Sequence, residues 1–223
     1  YNLTSPEEAV RSYFGTKPSH AFPPRYNIAP TQPVAIVRLD AAGERELALV
    51  RWGLLPGWVK DPAAFALITN ARAETAIDKP AFRSALRYRR CLVPANGFYE
   101  WTGPKKDRRP YHIRRLDGGL MALAGLYEQW MGPDGSELDT MAILTVPANP
   151  IVAPLHDRMP AILEPEAFPD WLTIHGSDPE AAIALLHSSG STALELTEVN
   201  KRLNNSRNEG PGLLEPEGPP RLL

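Results

Sequence analysis

Residues 90–101 read RCLVPANGFYEW, which is two short β-like runs in close succession. Further runs of the same kind follow downstream. The predicted strands cover residues 90–94, 97–102, 110–116, 120–128 and 139–146. Strands that follow one another without helical crossovers pair in an antiparallel or mixed sheet. The sequence therefore predicts an α+β fold, in which a β core carries helices on its outside.

Two more strands are predicted before this stretch, at 33–39 and 46–52, joined by a turn at Ala42-Gly43. A last strand is predicted at 193–199. Helices are expected around these strands. The predicted helices follow Pro80 and cover residues 164–173 and 178–187, the last of them capped by Asp178.

The chain is expected to open with a helix, because Ser5-Pro6-Glu7-Glu8 is typical of a helix N-terminus. In this pattern Ser5 caps the helix, Pro6 takes its first position and Glu8 completes a capping box. The predicted buried face of this helix is Val10, Tyr13 and Phe14. In the helix after Pro80, the candidate core residues are Phe82, Leu86 and Tyr88.

The length fits one full core or two small ones, and no repeat or change of composition marks a linker. We therefore predict a single domain over residues 1–209, followed by a Pro/Gly-rich tail over 210–223 that frays. One cysteine cannot form a disulfide framework. Cys91 lies in an apolar run, and its thiol is predicted to be buried.

The sequence has no P-loop, no dinucleotide glycine fingerprint and no nucleophile-elbow serine. Its five histidines show no zinc-like pairing with one another or with the cysteine. We therefore expect neither a cofactor nor a metal. The absence of a leader pattern and of a long apolar run favours a cytoplasmic protein without membrane contact.

Two segments carry polar groups in β-like surroundings. In residues 69–74, Asn70, Arg72 and Glu74 alternate, so an extended backbone would direct all three to one face. The alternative is a solvated strand face. Glu100 lies between aromatic residues, where poor solvation raises the pKa of a carboxyl toward values useful in acid–base chemistry. The alternative is that Glu100 points to solvent.

Two other segments lie in predicted loops. His156 and Arg158 could join a proton carrier to an anion clamp, although an isolated loop histidine is more often structural. Trp52 and Trp58 flank a Gly/Pro-rich loop and could stack on bases or fill the core. The net charge of −2 gives no global nucleic-acid signature, but ten Lys and Arg face two acids over residues 83–115. This stretch is a candidate phosphate-binding face or a solvated surface.

Six segments, in their order along the chain, resemble one protein family. They are RYNIAP at 25–30, RWGLLPGW at 51–58, NARAET at 70–75, RCLVPANGFYEW at 90–101, LT at 144–145 and HDRMP at 156–160. Together they resemble the SRAP family, the SOS-response-associated peptidase-like or abasic-site processing proteins. The resemblance implies a curved, barrel-like β core with outer helices, and single-stranded DNA with abasic sites as the partner of a monomer near the nucleoid.

The resemblance also implies a mechanism. Family members begin Met-Cys-Gly-Arg, so a nucleophilic cysteine is expected upstream of Tyr1. After removal of Met, its α-amine would attack the aldehyde of a ring-opened abasic sugar, and its thiol would close a thiazolidine. An α-amine has an ordinary pKa near ~8, so much of it is neutral at cellular pH. AP-lyase and autopeptidase activities are further expectations of the same resemblance.

Site residues follow from the resemblance by position. Glu100 would be the acid–base group for the imine, His156 would exchange a proton with the sugar oxygen, and Asn70 would hydrogen-bond the sugar. Arg72 and Arg158 would grip phosphates, and Trp58 and Trp52 would stack or wedge at bent DNA. The residues expected to line or shape the pocket are Thr145, Asn27 and Pro30.

Two other functions stay open at this point. The first is a processing peptidase or amidohydrolase that uses an N-terminal nucleophile, as the family name suggests. The second is a non-catalytic binder of damaged or modified DNA, which needs the basic stretch and the Trp residues but no nucleophile. Changes at Glu100 and His156 separate the two classes, because a binder would keep all of its activity.

Overall fold

The computed structural model describes residues 1–18, 22–173, 178–186 and 193–217. The strands are β1 (Pro33–Leu39), β2 (Arg45–Trp52), β3 (Asn70–Arg72), β4 (Arg90–Ala95), β5 (Gly97–Thr102), β6 (Arg109–Arg115), β7 (Met121–Met131), β8 (Glu137–Pro147), β9 (Arg158–Pro160), β10 (Ile162–Leu163) and β11 (Leu194–Glu198). The helices are α1 (Glu7–Phe14), α2 (Ala73–Ala76), α3 (Arg83–Tyr88), α4 (Phe168–Leu172) and α5 (Pro179–Leu185).

Eight of the strands in the described part of the chain form one large twisted sheet. Its main path runs β7-β4-β1-β2-β8, and an additional pairing of β8 with β7 returns to the start, which makes the sheet ring-like. Strand β8 is parallel to β2 and β3, whereas the other pairs are antiparallel. The prediction of an α+β fold with a curved, mixed β core and peripheral helices is confirmed.

A second sheet has three antiparallel strands in the order β11-β6-β5. Strands β4 and β5 are separated only by Asn96, so the chain passes directly from one sheet to the other. The side chain of Asn96 fixes this junction. Its Oδ1 accepts the backbone N–H groups of Thr4 and Ser5 at 2.7 and 2.9 Å. The sheet change thus positions β5 against the start of the chain.

The core fills the ring of strands. All six residues of β4 are buried, including Cys91, and the burial raises the pKa of its thiol, as predicted for a core cysteine. Gly125 on β7 faces this strand, and a Cβ there would press against the sulfur of Cys91 and the side chain of Val93. The close approach of β4 and β7 therefore requires glycine at that position.

The first helix forms where it is predicted, and Val10 and Phe14 are buried in the core while Tyr13 is half-buried. Its predicted cap is wrong. Pro6 is the N-cap, and no side chain caps the helix. The Oγ of Ser5 instead accepts the side-chain amide of Asn96 at 2.8 Å, which ties this end of the helix to the junction between the sheets.

The other predicted helices are shorter in the structure. Residues 164–173 contain a 3-10 turn at Pro165–Ala167 followed by α4, and Asp178 caps α5 by accepting the N–H of Glu180 at 3.0 Å. Residue 187, the predicted end of that helix, lies outside the described residues. In α3 the core prediction is wrong for Tyr88, which is 51% exposed, and right for Phe82 and Leu86.

The tail does not fray at once after Gly210, as composition suggested. Residues Pro211–Leu213 form a 3-10 turn, and Leu213 is buried against Tyr99, Val199 and Leu203. A β-bridge joins Val199 to Pro216. Apolar contact therefore overrides the Pro/Gly-rich composition as far as residue 217. The rest of the predicted tail, residues 218–223, lies outside the described residues, and the domain boundary at 209 stays a prediction.

Candidate functional site

A cavity of about 550 Å³ is lined by residues from both sheets. The large sheet contributes Trp52, Asn70, Arg72, Leu123, Ile143, Thr145 and Arg158–Pro160, and the small sheet contributes Phe98–Trp101. Loop residues complete the wall at Asn27–Pro30, His156 and residues 203–206, together with Tyr1. A concave, mostly apolar space with a few convergent polar groups is typical of a ligand site.

Nine of the ten residues singled out in the sequence line this cavity. They are Asn27, Pro30, Trp52, Asn70, Arg72, Glu100, Thr145, His156 and Arg158. Trp58 is not among the lining residues. It is 60% exposed, and its ring packs edge-on against Phe65 at 5.6 Å in a separate loop cluster. The roles assigned to these residues by resemblance stay predictions.

Glu100 on β5 is partly buried in the cavity wall. Loss of solvation raises the pKa of this carboxyl, and the nearby His156 lowers it in part. The direction agrees with the sequence argument, because a carboxylate next to aromatic walls loses hydration. A carboxyl with a raised pKa can donate and accept a proton near neutral pH.

His156 lies on a loop between β8 and β9 and is about half exposed, with a relative side-chain exposure of 49%. Its Nδ1 accepts the backbone N–H of Arg158 at 2.9 Å. The same nitrogen is 3.2 Å from a carboxylate oxygen of Asp157 and from the backbone oxygen of Arg158. Partners for a bare nitrogen and for an N–H are therefore both present, so this imidazole can hold either protonation state.

Strand β3 presents Asn70 and Arg72 on its exposed face, with buried Ala71 between them. The prediction that Glu74 continues this alternation is wrong, because the strand ends at Arg72 and α2 begins at Ala73. Glu74 does not line the cavity. Within the described residues, Arg72 has no hydrogen-bonding or ion-pair partner for its side chain, so its charge is available to a ligand.

Arg158 is, by contrast, already paired. Its Nη1 and Nη2 donate to the two carboxylate oxygens of Glu74 at 2.6 and 2.8 Å. Nη2 also donates to the backbone oxygen of Thr145. This guanidinium lowers the pKa of the Glu74 carboxyl. The two residues lie 84 positions apart, which is why no sequence pattern reveals the pair.

Trp52, Asn27 and Pro30 shape the wall. The indole N–H of Trp52 donates to the backbone oxygen of Thr69 at 2.9 Å, and the ring is only 9% exposed. Asn27 is buried and donates to the backbone oxygens of Leu203 and Asn205, which draws the 203–206 segment to the cavity. Pro30 is exposed at the rim.

The start of the chain is a wall of the cavity that no single residue pattern revealed. The backbone nitrogen of Tyr1 is buried and donates to the backbone oxygen of Ile28 at 3.1 Å. Burial lowers the pKa of this α-amine to about 5, against a smaller opposing effect of Glu100. An uncharged nitrogen is therefore favoured there. The signal available in the sequence is the family motif expected immediately upstream.

The next residue anchors this segment. Asn2 exchanges backbone hydrogen bonds with the 96–97 junction, and its side-chain oxygen is 3.0 Å from Nε2 of His112 on β6. Burial lowers the pKa of His112 to about 4, so its imidazole is neutral at pH 7. The ring of His112 lies against Gly97, where a Cβ would collide with it. Glycine at 97 is thus required for the anchor.

The basic stretch from Arg83 to Arg115 is not a continuous phosphate-binding face. Four of its ten cations are paired with acids: Arg89 with Glu128, Arg109 with Glu198, Arg114 with Glu195, and Arg115 with Asp117 and Glu164. A fifth, Arg90, is buried and donates to the backbone oxygens of Leu86 and Trp171. For these five residues the prediction is wrong, because acids from distant segments neutralise the charge or the fold buries it.

Two absences apply to the described residues only. No group of three or more His, Cys, Asp or Glu side chains is placed to hold a metal ion. No helix there is both long and apolar enough to cross a membrane.

The fold and the cavity define an α+β protein with an acid–base site that also carries arginines. The chain belongs to the SOS response associated peptidase (SRAP) family, whose model matches residues 1–206. The family resemblance seen in the sequence is confirmed.

Relatives with names match most of the chain. Abasic site processing protein YoqW of Bacillus subtilis is 38% identical over 199 residues, which is 89% of this chain and 88% of the relative. Abasic site processing protein HMCES of Xenopus tropicalis is 32% identical over 223 residues, covering 86% of this chain and 66% of the relative. A crystal structure from Bordetella bronchiseptica superposes with a TM-score of 0.78 at 28% identity, covering 90% of this chain and 98% of that one.

Proposed function

We propose that this protein processes abasic sites in single-stranded DNA by forming a covalent crosslink through a cysteine upstream of Tyr1. One observation carries the proposal: the nitrogen of Tyr1 lies in the wall of the cavity that Asn70, Glu100 and His156 also line. Residues that precede Tyr1 would enter the same space. The names of the relatives, abasic site processing proteins, support the choice of substrate.

The first step joins the amine to the sugar. The neutral α-amine of the upstream cysteine attacks C1′ of the ring-opened sugar, and the aldehyde oxygen takes up a proton to give a carbinolamine. Loss of water then gives a Schiff base. An α-amine suits this step because its ordinary pKa near ~8 leaves a neutral fraction at cellular pH. A cavity wall that disfavours the ammonium form increases that fraction.

Glu100 and His156 supply the protons. Glu100, whose pKa is raised by burial, donates a proton to the departing hydroxyl of the carbinolamine. His156 exchanges a proton with the sugar oxygen, since its Nδ1 has partners in both protonation states. Asn70, exposed on β3, donates a hydrogen bond to the captured sugar. Removal of a C2′ proton with loss of the 3′-phosphate would be the AP-lyase branch.

The second step closes the ring. The cysteine sulfur adds to the imine carbon, and its proton moves to the nitrogen, which gives a thiazolidine. No oxidant or metal is required, because both bonds form by addition and only water leaves. Arg72 is the cation expected on a neighbouring phosphate, because no acid in the described part of the chain neutralises it.

The test restores the upstream residues. The chain is expressed with Met-Cys-Gly-Arg before Tyr1 and incubated with single-stranded DNA that carries one abasic site. We expect a shifted band on a denaturing gel without any reducing trap. The band should vanish when the restored cysteine becomes alanine, and its rate of formation should fall in Glu100→Gln.

A gel without the band would contradict the proposal. If tight non-covalent binding remained in that case, the protein would be a damage-binding module. Cleavage of a peptide extension placed before the cysteine, with no reaction on DNA, would instead establish the peptidase function. DNA without the abasic site is the matched control for the substrate.

A further inference from the structure

Glu74 holds Arg158 in the geometry that a phosphate would use. The carboxylate accepts from Nη1 and Nη2 together, at 2.6 and 2.8 Å. Two parallel N–H···O bonds of this kind are also how an arginine binds a phosphate group. Glu74 and a DNA phosphate would therefore bind the same edge of Arg158.

The other edge of the guanidinium is not available either. Nη2 also donates to the backbone oxygen of Thr145, which is fixed in β8. Nε is buried and has no partner among the described residues. Of the five N–H groups of arginine, the one left accessible is the second on Nη1. One donor cannot bind a phosphate in the two-bond geometry.

The two partners of Arg158 differ in how easily they leave. The Glu74 side chain is 43% exposed, whereas that of Arg158 is 16% exposed. Glu74 does not line the cavity, so it can turn into solvent without disturbing the wall. Thr145 cannot move independently of its strand. A phosphate that reaches Arg158 therefore replaces Glu74 rather than Thr145.

We propose that Glu74 is a specificity-determining residue, which competes with DNA phosphate for Arg158 and thereby weakens binding of undamaged single-stranded DNA. This inference rests on the proposed function. Undamaged DNA must displace Glu74 using non-covalent contacts alone. Abasic DNA recovers the same loss through the covalent bond in the cavity, so the competition favours the damaged strand.

The experiment measures fluorescence anisotropy of a labelled oligothymidine strand without an abasic site, at several salt concentrations. Glu74→Gln should bind about fivefold more tightly than the unchanged protein, because an exposed ion pair no longer has to be broken. The slope of log affinity against log salt should become steeper by about 0.7, the value for one extra phosphate contact on a single strand. Glu74→Ala is a second variant with the same expected direction.

Two controls separate this effect from a general gain of positive charge. Glu195→Gln removes the same charge from the Arg114–Glu195 pair, which is outside the cavity, and should leave affinity and slope unchanged. In an Arg158→Gln background, Glu74→Gln should give no gain. An equal gain in Glu195→Gln, or a gain that survives without Arg158, would overturn the inference.

A loss of affinity in Glu74→Gln would also overturn it, because Glu74 would then support Arg158 rather than compete with DNA. The capture assay on abasic DNA tests the proposed function separately. Capture that proceeds while Glu74→Gln binds undamaged DNA no better sinks only the inference. Capture that fails while Glu74→Gln binds DNA more tightly sinks only the crosslinking function.

Discussion

Glu100 shows how a single residue acquires its chemistry from its surroundings. The aromatic neighbours along β5 predict poor solvation, and the structure has the same direction of pKa shift, with burial as the largest cause. The opposing effect of His156 could not be predicted, because it depends on a loop that lies 56 positions away in the chain. The local environment was readable from sequence, and the partner was not.

Replacing Glu100 by glutamine tests its proposed role. We expect the rate of crosslink formation to fall about 100-fold or more, since a positioned acid–base group contributes ~10²–10⁴. The pH dependence of the rate should also lose the ionisation that belongs to this carboxyl. The measurement is the rate of band formation on abasic DNA between pH 5 and 9. An unchanged rate would remove Glu100 from the mechanism.

The same change has a consequence for stability. The folded-state pKa of Glu100 is raised, so its contribution to stability is present below the pKa of the unfolded chain and is lost as pH rises through the folded-state value. Glutamine cannot ionise. Glu100→Gln should therefore be at least as stable as the unchanged protein at pH 8, as measured by urea unfolding, although it is less active.

At the scale of elements, the short ones depend most on their neighbours. Strand β3 ends at Arg72 although the alternation of polar residues continues to Glu74. Helix α1 begins at Glu7, but Asn96 takes the serine that the sequence offers as a cap. The long strands follow their local patterns because each buries a full apolar face, whereas one hydrogen bond or ion pair is enough to end a short element.

The start of the chain is anchored to β6 through His112, and this anchor should depend on pH. The folded-state pKa of His112 is about 4, below the ordinary value near 6.5, so stability is complete above pH 6.5 and is lost as pH falls toward 4. From pH 7 to 4.5, this residue should lower the free energy of unfolding by about 2–3 kcal/mol.

His112→Gln supplies the comparison. It cannot be protonated, so the part of the pH dependence that belongs to His112 should disappear. Urea unfolding of both proteins at pH 7 and pH 4.5 gives the difference. Equal losses of stability in the two proteins would show that His112 does not control this range.

The segment after Gly210 should stabilise the domain, contrary to its composition. Leu213→Ala removes a side chain that is buried against Tyr99, Val199 and Leu203, and we expect it to cost about 3 kcal/mol. Glu215→Ala, at an exposed position two residues on, should change stability by less than about 0.5 kcal/mol. Thermal unfolding checks both, and equal midpoints would mean that the segment is not packed in solution.

At the scale of the whole molecule, the distribution of charge matters more than its sum. The net charge is −2, and most arginines of the basic stretch that the structure describes are paired or buried. The cavity retains Arg72 as a cation without an acid partner among the described residues. DNA binding should therefore depend on a few cavity residues. That the protein is a monomer stays a prediction.

Arg72→Gln tests this distribution. Affinity for single-stranded DNA should fall to a similar extent for all sequences, and the salt slope should decrease by about one unit, as for any lost phosphate contact. Arg114→Gln changes the net charge equally but removes a cation that is paired with Glu195, so its slope should stay the same. An unchanged slope in Arg72→Gln would show that this residue does not contact a phosphate.

The sequence by itself determined the strands, the core cysteine, the α+β class and the family, because these follow from local apolar patterns and from motifs in a fixed order. Only the tertiary structure decided which of the chosen side chains meet. Nine of ten line one cavity, Trp58 does not, and Arg158 is paired with a carboxylate 84 positions away. Contacts between distant segments depend on how the sheets curve, and no local pattern encodes that curvature.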